Sequence, residues 1–250
     1  SRHTDPVAVS DGEGGVVVVF TEGSEQASTP MPLLMQRFDN DGTLAFGPEG
    51  VRVSLDSERQ FDAIVTRDDA TDELLIAWRS GGFDDQQLRA QRMTTAGARL
   101  WGDTGITIAE MGVNGGAWFE AVWDGTELTG IVSRPLERTP SVLAYRVSAG
   151  GGVDPGPIVL SGETESMSIA GGGSAEAVTV SWFELDSGFS GDLVAQRLNA
   201  DGTLGGVLGD LDGNGLVDVA DVIILLGEWG PCAGACVADL DGDGMVGACL

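Results

Sequence analysis

Apolar residues in most of this chain come in short runs of strand length, and the runs recur in sets of four. The first set is VAVS from Val7, GVVVVF ending at Phe20, LLMQRF from Leu33 and VRVS at 51–54. The second is DAIVT from Asp62, ELLIAW ending at Trp78, LRAQRM from Leu88 and ITIA at 106–109. The third is FEAVW from Phe119, ELTGIV ending at Val132, VLAYRV from Val142 and PIVLS at 157–161. The fourth opens with SMSIA from Ser166, AVTVSW ending at Trp182 and LVAQRL from Leu193, and has no clear last strand before Leu204-Gly205-Gly206. Asp41-Gly42, Asp124-Gly125 and Asp201-Gly202 supply turns between runs.

Gln36, Gln91, Tyr145 and Gln196 occupy corresponding places, 55, 54 and 51 residues apart. A period near 50 residues holding four antiparallel strands predicts β-propeller blades, each covered on both faces by neighbours. The expected fold is all-β: blades at about 5–56, 57–110, 111–162 and 163–206, then a small separate module at 207–250. The repeats resemble the blades, rich in DGxGG and AQR strings, of large secreted bacterial propeller proteins, over about residues 5 to 206. Closure of four blades on their own and a clipped larger ring are both compatible with the pattern.

Alternate residues of a strand share a face, so Gln36 lies with Leu34 and Phe38, and Gln196 with Val194 and Leu198. The expectation is a buried amide bonded to backbone at each repeat. Arg37, Arg92, Arg146 and Arg197 fall on the opposite face, where pairing with carboxylates competes with an anion-binding ring. Trp78 and Trp182 end core strands and read as structural, whereas Trp101, Trp118 and Trp123 lie near turns and are candidates for a sugar-stacking surface.

Composition narrows the partners. Thirteen basic residues, all Arg, face 39 acidic ones for a formal charge of −26, which excludes nucleic acid and anionic membrane as natural partners. No run is long and apolar enough to insert in a membrane. Eight acidic residues and no basic one lie beyond Val207, so that segment repels itself unless a divalent cation binds.

The run Asp210-Leu-Asp-Gly-Asn-Gly-Leu-Val-Asp-Val-Ala-Asp221 carries that cation's ligands. Asp210, Asp212, Asn214, the Leu216 carbonyl, Asp218 and Asp221 fall at loop positions 1, 3, 5, 7, 9 and 12, and Gly215 sits at the sharp turn, which is the oxygen-donor spacing of a Ca2+ loop. The apolar stretch from Val222 to Leu226 then reads as a helix ending near Trp229-Gly230-Pro231. Asp239, Asp241, Asp243 and the Met245 carbonyl repeat the first half of the loop 29 residues on.

Two such loop–helix units, with Asp at position 12, resemble the type I dockerin domain over about residues 207 to 250. The resemblance implies a calcium-folded EF-hand-like module that attaches a secreted protein to a cohesin-type partner or surface scaffold. Val219 and Ala220 take the partner-selecting loop positions, and Trp229 joins that surface. The second repeat departs from the pattern: Gly247 and Leu250 stand at its positions 9 and 12, with no closing carboxylate and no second helix. Without that helix, Val222, Ile223, Leu225, Leu226 and Trp229 need another partner. Ser1-Arg2-His3 offers no initiator Met and no signal peptide, so the chain reads as a fragment of an exported protein.

Cys232, Cys236 and Cys249 all fall in this module. Export favours a disulfide, Cys232 with Cys236 or Cys236 with Cys249, over thiolate zinc, which lacks a fourth ligand. Catalytic residues are not identifiable. His3 is the single histidine, which leaves no basis for a histidine triad, and among 39 acidic residues no glycosidase pair stands out. The expected function is an extracellular or cell-surface binding protein, a propeller ligand platform with a cohesin-directed calcium tail. The alternative is the non-catalytic part of a carbohydrate-active glycoside hydrolase recruited to polysaccharide through that tail.

Overall fold

Each set of four runs folds into its own antiparallel sheet. The computed structural model describes residues 2–23, 31–82, 85–112, 118–133, 142–161, 165–174, 177–185, 191–206, 209–211, 219–232, 238 and 245–246. Blade 1 comprises β1 (Arg2–Ser10), β2 (Val16–Gly23), β3 (Leu33–Phe38) and β4 (Val51–Arg52), hydrogen-bonded in that order. Blade 2 comprises β5 (Gln60–Asp68), β6 (Glu73–Ser80), β7 (Gln86–Thr94) and β8 (Ile106–Gly112). Blade 3 comprises β9 (Trp118–Trp123), β10 (Glu127–Ser133), β11 (Val142–Ser148) and β12 (Ile158–Val159). Blade 4 comprises β13 (Glu165–Ser174), β14 (Ala177–Leu185), β15 (Gly191–Asn199) and β16 (Leu204–Gly205). The first strands β1, β5, β9 and β13 pack on one another in chain order, as the innermost strands of propeller blades do.

The near-continuous apolar second strands follow from burial on both faces. Leu74, Ile76 and Trp78 of β6 pack with Val17, Val19, Leu33 and Met35 of blade 1, while Leu75 and Ala77 turn with Leu88 and Ala90 to Leu128 and Val132 of blade 3. The third interface sets Ile131, Val142 and Ala144 against Val178, Val180, Trp182 and Leu198. Trp78 and Trp182, the largest fully buried side chains, each sit in one of these seams. Burial of a large apolar side chain contributes about 1.5–3 kcal/mol, so these seams supply most of the cohesion.

The repeated amides are bonded to backbone; Gln36 and Gln91 are buried and Gln196 is half-buried. Gln91 is fully buried, donates to the Gly102 carbonyl at 2.8 Å and accepts from Trp101 N–H at 2.9 Å. Gln36 donates to Gly47 O at 2.6 Å, and Gln196 to Gly205 O at 2.6 Å. Each clamps the connection leaving the third strand, which would otherwise bury unpaired carbonyls. Three of the repeated arginines meet carboxylates within their own blade: Arg37 with Asp39, Arg92 with Glu73 and Arg146 with Glu127. Arg197 donates to Asn199 at 3.2 Å. The arginines therefore serve the blades and do not form an anion-binding ring.

Blade 4 ends differently. Its β16 pairs with Arg197 and Leu198, the place where blades 1 to 3 have the single bridges Phe38–Leu44, Met93–Arg99 and Val147–Val153. The fourth strands of blades 1 and 3 pair further back along the third strand, at Leu34 and Leu143. Among the described residues nothing takes that place in blade 4, as expected from its missing last run.

Beyond the blades, α1 (Val219–Gly227) begins three residues earlier than the apolar pattern predicts. β17 (Gly230–Pro231) pairs with β18 (Met245–Val246), and Leu211, Ala238 and Val246 form a core with Ile224, Leu225 and Cys232. No apolar cluster among the described residues joins this module to a blade. Of the five helix residues expected to seek a partner, only Leu225 joins the core; Val222, Ile223, Leu226 and Trp229 are exposed.

Candidate functional site

Three of the four innermost strands are bulged at the same place. Register shifts between Thr4 and Val7 in β1, between Phe61 and Ile64 in β5, and between Met167 and Ile169 in β13. Asp5, Asp62 and Ser168 occupy these bulges with φ of 52°, 52° and 50°. Left-handed backbone is uncommon outside glycine, although Asp adopts it more readily than most, and a bulge re-aims the side chain that it carries. β9 keeps regular pairing there, Trp118 opposite Ser133 and Phe119 opposite Val132. The bulges and the start of β9 thus lie at one end of the propeller, where the innermost strands enter.

Side chains from blades 2 and 3 meet at this end. Arg79 Nε lies 3.5 Å from Asp62 Oδ2, and its guanidinium stands 5.7 Å from the centre of the Phe119 ring. Burial lowers the Arg79 pKa, and Asp62 opposes that by favouring the cation. Trp118, next to Phe119, is 44% exposed. Glu120 follows on the same strand, half-buried, with its carboxylate accepting from Ala121 N–H at 2.9 Å. Burial raises its pKa above the usual carboxylate range, and the N–H groups of Ala121 and Gly171 oppose that shift. On β9, Phe119 turns to Arg79 while Trp118 shares the opposite face with Glu120, and an exposed indole with a carboxylate can stack on a sugar ring and bond its hydroxyls.

The other two tryptophans proposed for sugar stacking lie elsewhere. Trp101 is buried between blades, donating from Nε1 to Ala149 O at 3.0 Å. Trp123 is half-buried, with the Arg92 guanidinium 5.6 Å from its ring centre. Sequence reasoning missed Asp62, Arg79 and Glu120. The available signal is a break in apolar alternation at Asp5-Pro6 and Asp62-Ala63, where each bulge inserts one residue.

The predicted calcium loop is described at its two ends. Asp221, in the first turn of α1, is 2% exposed, and its Oδ1 accepts from Leu211 N–H at 2.6 Å. This bond joins position 12 of the predicted loop to its position 2. Asp210, next to Leu211 in sequence, is half-buried. Asp212, Asn214, Leu216, Asp218, Asp239, Asp241 and Asp243 lie outside the described residues. Among the described residues no cluster of three or more His, Cys, Asp or Glu stands ready for a metal. Met245 is in β18 with an exposed side chain.

Val219 and Trp229, predicted to face a partner, are 72% and 55% exposed, and Ala220 is half-buried. Cys232 is disulfide-bonded; Cys236 and Cys249, the other cysteines, lie outside the described residues. No helix among the described residues is long and apolar enough to cross a membrane.

No protein-family model and no curated protein matches this chain. Solved structures resemble it at low identity. A putative glycoside hydrolase from Parabacteroides distasonis is 12% identical, with 82% of this chain and 72% of that chain covered and a TM-score of 0.43. An ulvan lyase of the PL25 polysaccharide lyases is 9% identical, with 82% and 55% covered and a TM-score of 0.49. A thermostable family-43 glycoside hydrolase is 12% identical, with 81% and 73% covered and a TM-score of 0.42. The propeller architecture itself rests on the four sheets and the order of their inner strands.

Proposed function

We propose that this protein is an extracellular polysaccharide-binding propeller with a calcium-folded, dockerin-like tail for attachment to a cohesin-type protein or surface scaffold. The observation that carries the binding reading is the exposed Trp118 at the bulged end, on the same face of β9 as Glu120. A pyranose offers an apolar face to the indole and equatorial hydroxyls to the Glu120 carboxylate, which the bond from Ala121 N–H holds in place before a sugar arrives.

The tail's role rests on the loop pattern and on the bond from Leu211 N–H to Asp221. Asp210, Asp212, Asn214, the Leu216 carbonyl, Asp218 and Asp221 would hold the ion, whose charge offsets the repulsion among the tail's carboxylates. Val219, Ile223 and Trp229 would then meet the attachment partner with an apolar surface.

Affinity electrophoresis and calorimetry of the full chain against a panel of neutral and acidic polysaccharides test the binding reading. Trp118→Ala is expected to weaken binding about tenfold or more, the loss of one stacked ring. Unchanged retention of every polysaccharide by that variant rejects this surface.

A second reading, hydrolysis of O-glycosyl bonds, is favoured by Glu120. A carboxyl with a raised pKa near a ligand surface suits a general acid, provided that a second carboxylate stands at the right separation. Release of reducing sugar by the wild type and its loss in Glu120→Gln, with binding retained, would move the assignment to an enzyme.

A further inference from the structure

The inner strands of blades 3 and 4, β9 and β13, lie against each other, and Glu120 sits where they meet. Trp118, Glu120 and Val122 share one face of β9, because alternate residues of a strand do, and Val122 packs on that side with Val178, Val180 and Trp182 of blade 4. Ser133 stands opposite Trp118 on β10; its hydroxyl donates to Ser166 O at 2.9 Å and lies 3.1 Å from the Ser166 hydroxyl. The face that carries Trp118 and Glu120 therefore looks at β13.

The bulge in β13 decides which of its residues look back. Trp182, Val180 and Val178 alternate along β14 on the side packed against blade 3. Ser166 pairs with Glu184 of that same side ahead of the bulge, and Ile169, Gly171 and Gly173 pair with Trp182, Val180 and Val178 beyond it. Regular pairing onward from Ser166 would instead have turned Ser168, Ala170 and Gly172 to blade 3, since a slip of one residue exchanges the two faces of a strand. The inserted residue delivers Gly171 to Glu120.

Gly171 fits there because it has no side chain. A Cβ at this position would stand 3.1 Å from Glu120 Cγ, 2.7 Å from Val122 Cγ2 and 3.4 Å from Ile131 Cδ1. Its φ lies outside the left-handed region, so the backbone alone would accept alanine, and space is the reason for glycine. Gly172, also outside that region, is the contrast: a Cβ there would meet nothing within 4 Å. The Gly171 N–H favours the ionised Glu120 carboxylate, as does the Ala121 N–H, bonded to it at 2.9 Å. One carboxylate is thus held from two blades, by an amide of its own strand and by one across the seam.

We propose that Gly171 is the positioning residue for Glu120, so that the sugar-binding surface is shared by blades 3 and 4. The assignment rests on the reading of Trp118 and Glu120 as that surface. The space left by the missing side chain lets the carboxylate lie in the seam, the N–H across the seam helps to fix its direction, and the exposed Trp118 two residues back supplies the stacking face.

The test compares Gly171→Ala with Gly172→Ala in the full chain. Titration of the Glu120 carboxyl is followed by NMR, retention by affinity electrophoresis in gels of xylan, galactan and β-glucan, and folding by thermal melting. Gly171→Ala is expected to return the Glu120 midpoint toward the ordinary carboxylate value, because displacement takes the group out of its buried place, and to weaken retention about tenfold. Gly172→Ala should leave both as in the wild type. If Gly171→Ala does not fold, adding Val122→Ala removes the nearest contact and keeps the new methyl against Glu120, with Val122→Ala alone as its control. An unmoved Glu120 midpoint in the folded variant, or an equal change in Gly172→Ala, overturns the proposal. Retention lost in Trp118→Ala but kept in Gly171→Ala also overturns it and spares the binding reading. A wild type that none of the gels retains rejects the binding reading, while the titration, which needs no ligand, still decides whether Gly171 places Glu120.

Discussion

The blades and the tail carry charge and apolar surface in opposite ways. All thirteen basic residues lie before residue 207, and many hold carboxylates in place, as Arg89 holds Asp56 and Arg146 holds Glu127. The tail has eight acidic residues and no basic one, and among the described residues its core is three buried residues supported by Ile224, Leu225 and Cys232. Packing decides the first region; in the second, like charge opposes folding unless a disulfide or a cation offsets it. One chain thus contains a part that folds because its faces exclude water and a part whose repulsion must be neutralised.

The contrast breaks most sharply at a seam. Trp78→Ala is expected to cost the propeller about 3–5 kcal/mol in denaturant unfolding, because it opens a cavity between blades 1 and 2. Arg89→Ala should cost about 3 kcal/mol, since Arg89 bonds both Asp56 and the Thr104 carbonyl and its loss strands a partly buried carboxylate. Neither change should alter calcium binding in the tail. A calcium affinity that moved with Trp78→Ala would mean that the two regions are coupled.

The reverse experiment acts on the tail alone. Asp221→Ala removes the acceptor of Leu211 N–H and a proposed ligand, and is expected to abolish calcium binding at the first loop, read by calorimetry, while the propeller's melting temperature stays within a degree or two. Chelation of calcium from the wild type should lower the helical signal of the tail in circular dichroism. A propeller transition displaced by chelation would contradict the separation.

Acid separates the regions more gently. Burial opposes ionisation of Asp56 and Asp68, yet the N–H of Glu58 and Arg89 at the first, and the Thr71 hydroxyl and Ala70 N–H at the second, hold both pKa values below the usual range. Their stabilisation is present above the unfolded value of about 3.9 and is lost as pH falls through the lower folded values. Glu120, with a raised pKa, has the opposite sign: its contribution is present below about 4.3 and is lost as pH rises through its folded value. Asp68→Asn should flatten the stability profile on the acid side, and Glu120→Gln on the side above it. Identical profiles for wild type and both variants would refute the assignment. The smallest effect is expected at Ile223→Ala, within about 0.5 kcal/mol, against about 2 kcal/mol at Leu225→Ala, whose side chain joins the small core.

The sequence by itself determined the repeats. Strand runs, turn dipeptides and the returning Gln positions locate all four blades, because alternation on a strand records directly which residues face a neighbour. The buried roles of Gln36 and Gln91 were equally legible, since an amide between apolar neighbours must find backbone partners. The oxygen-donor spacing on which the proposed calcium loop rests is likewise written in Asp210 to Asp221. Tertiary structure alone decided that Trp101 is buried and Trp118 exposed, that Arg79 crosses to Phe119, and that Glu120 is held in a partly buried place. It also decided that three seams join the four blades. Those properties depend on which side chain of another blade arrives at a given surface, and a pattern of local alternation holds no record of that distance.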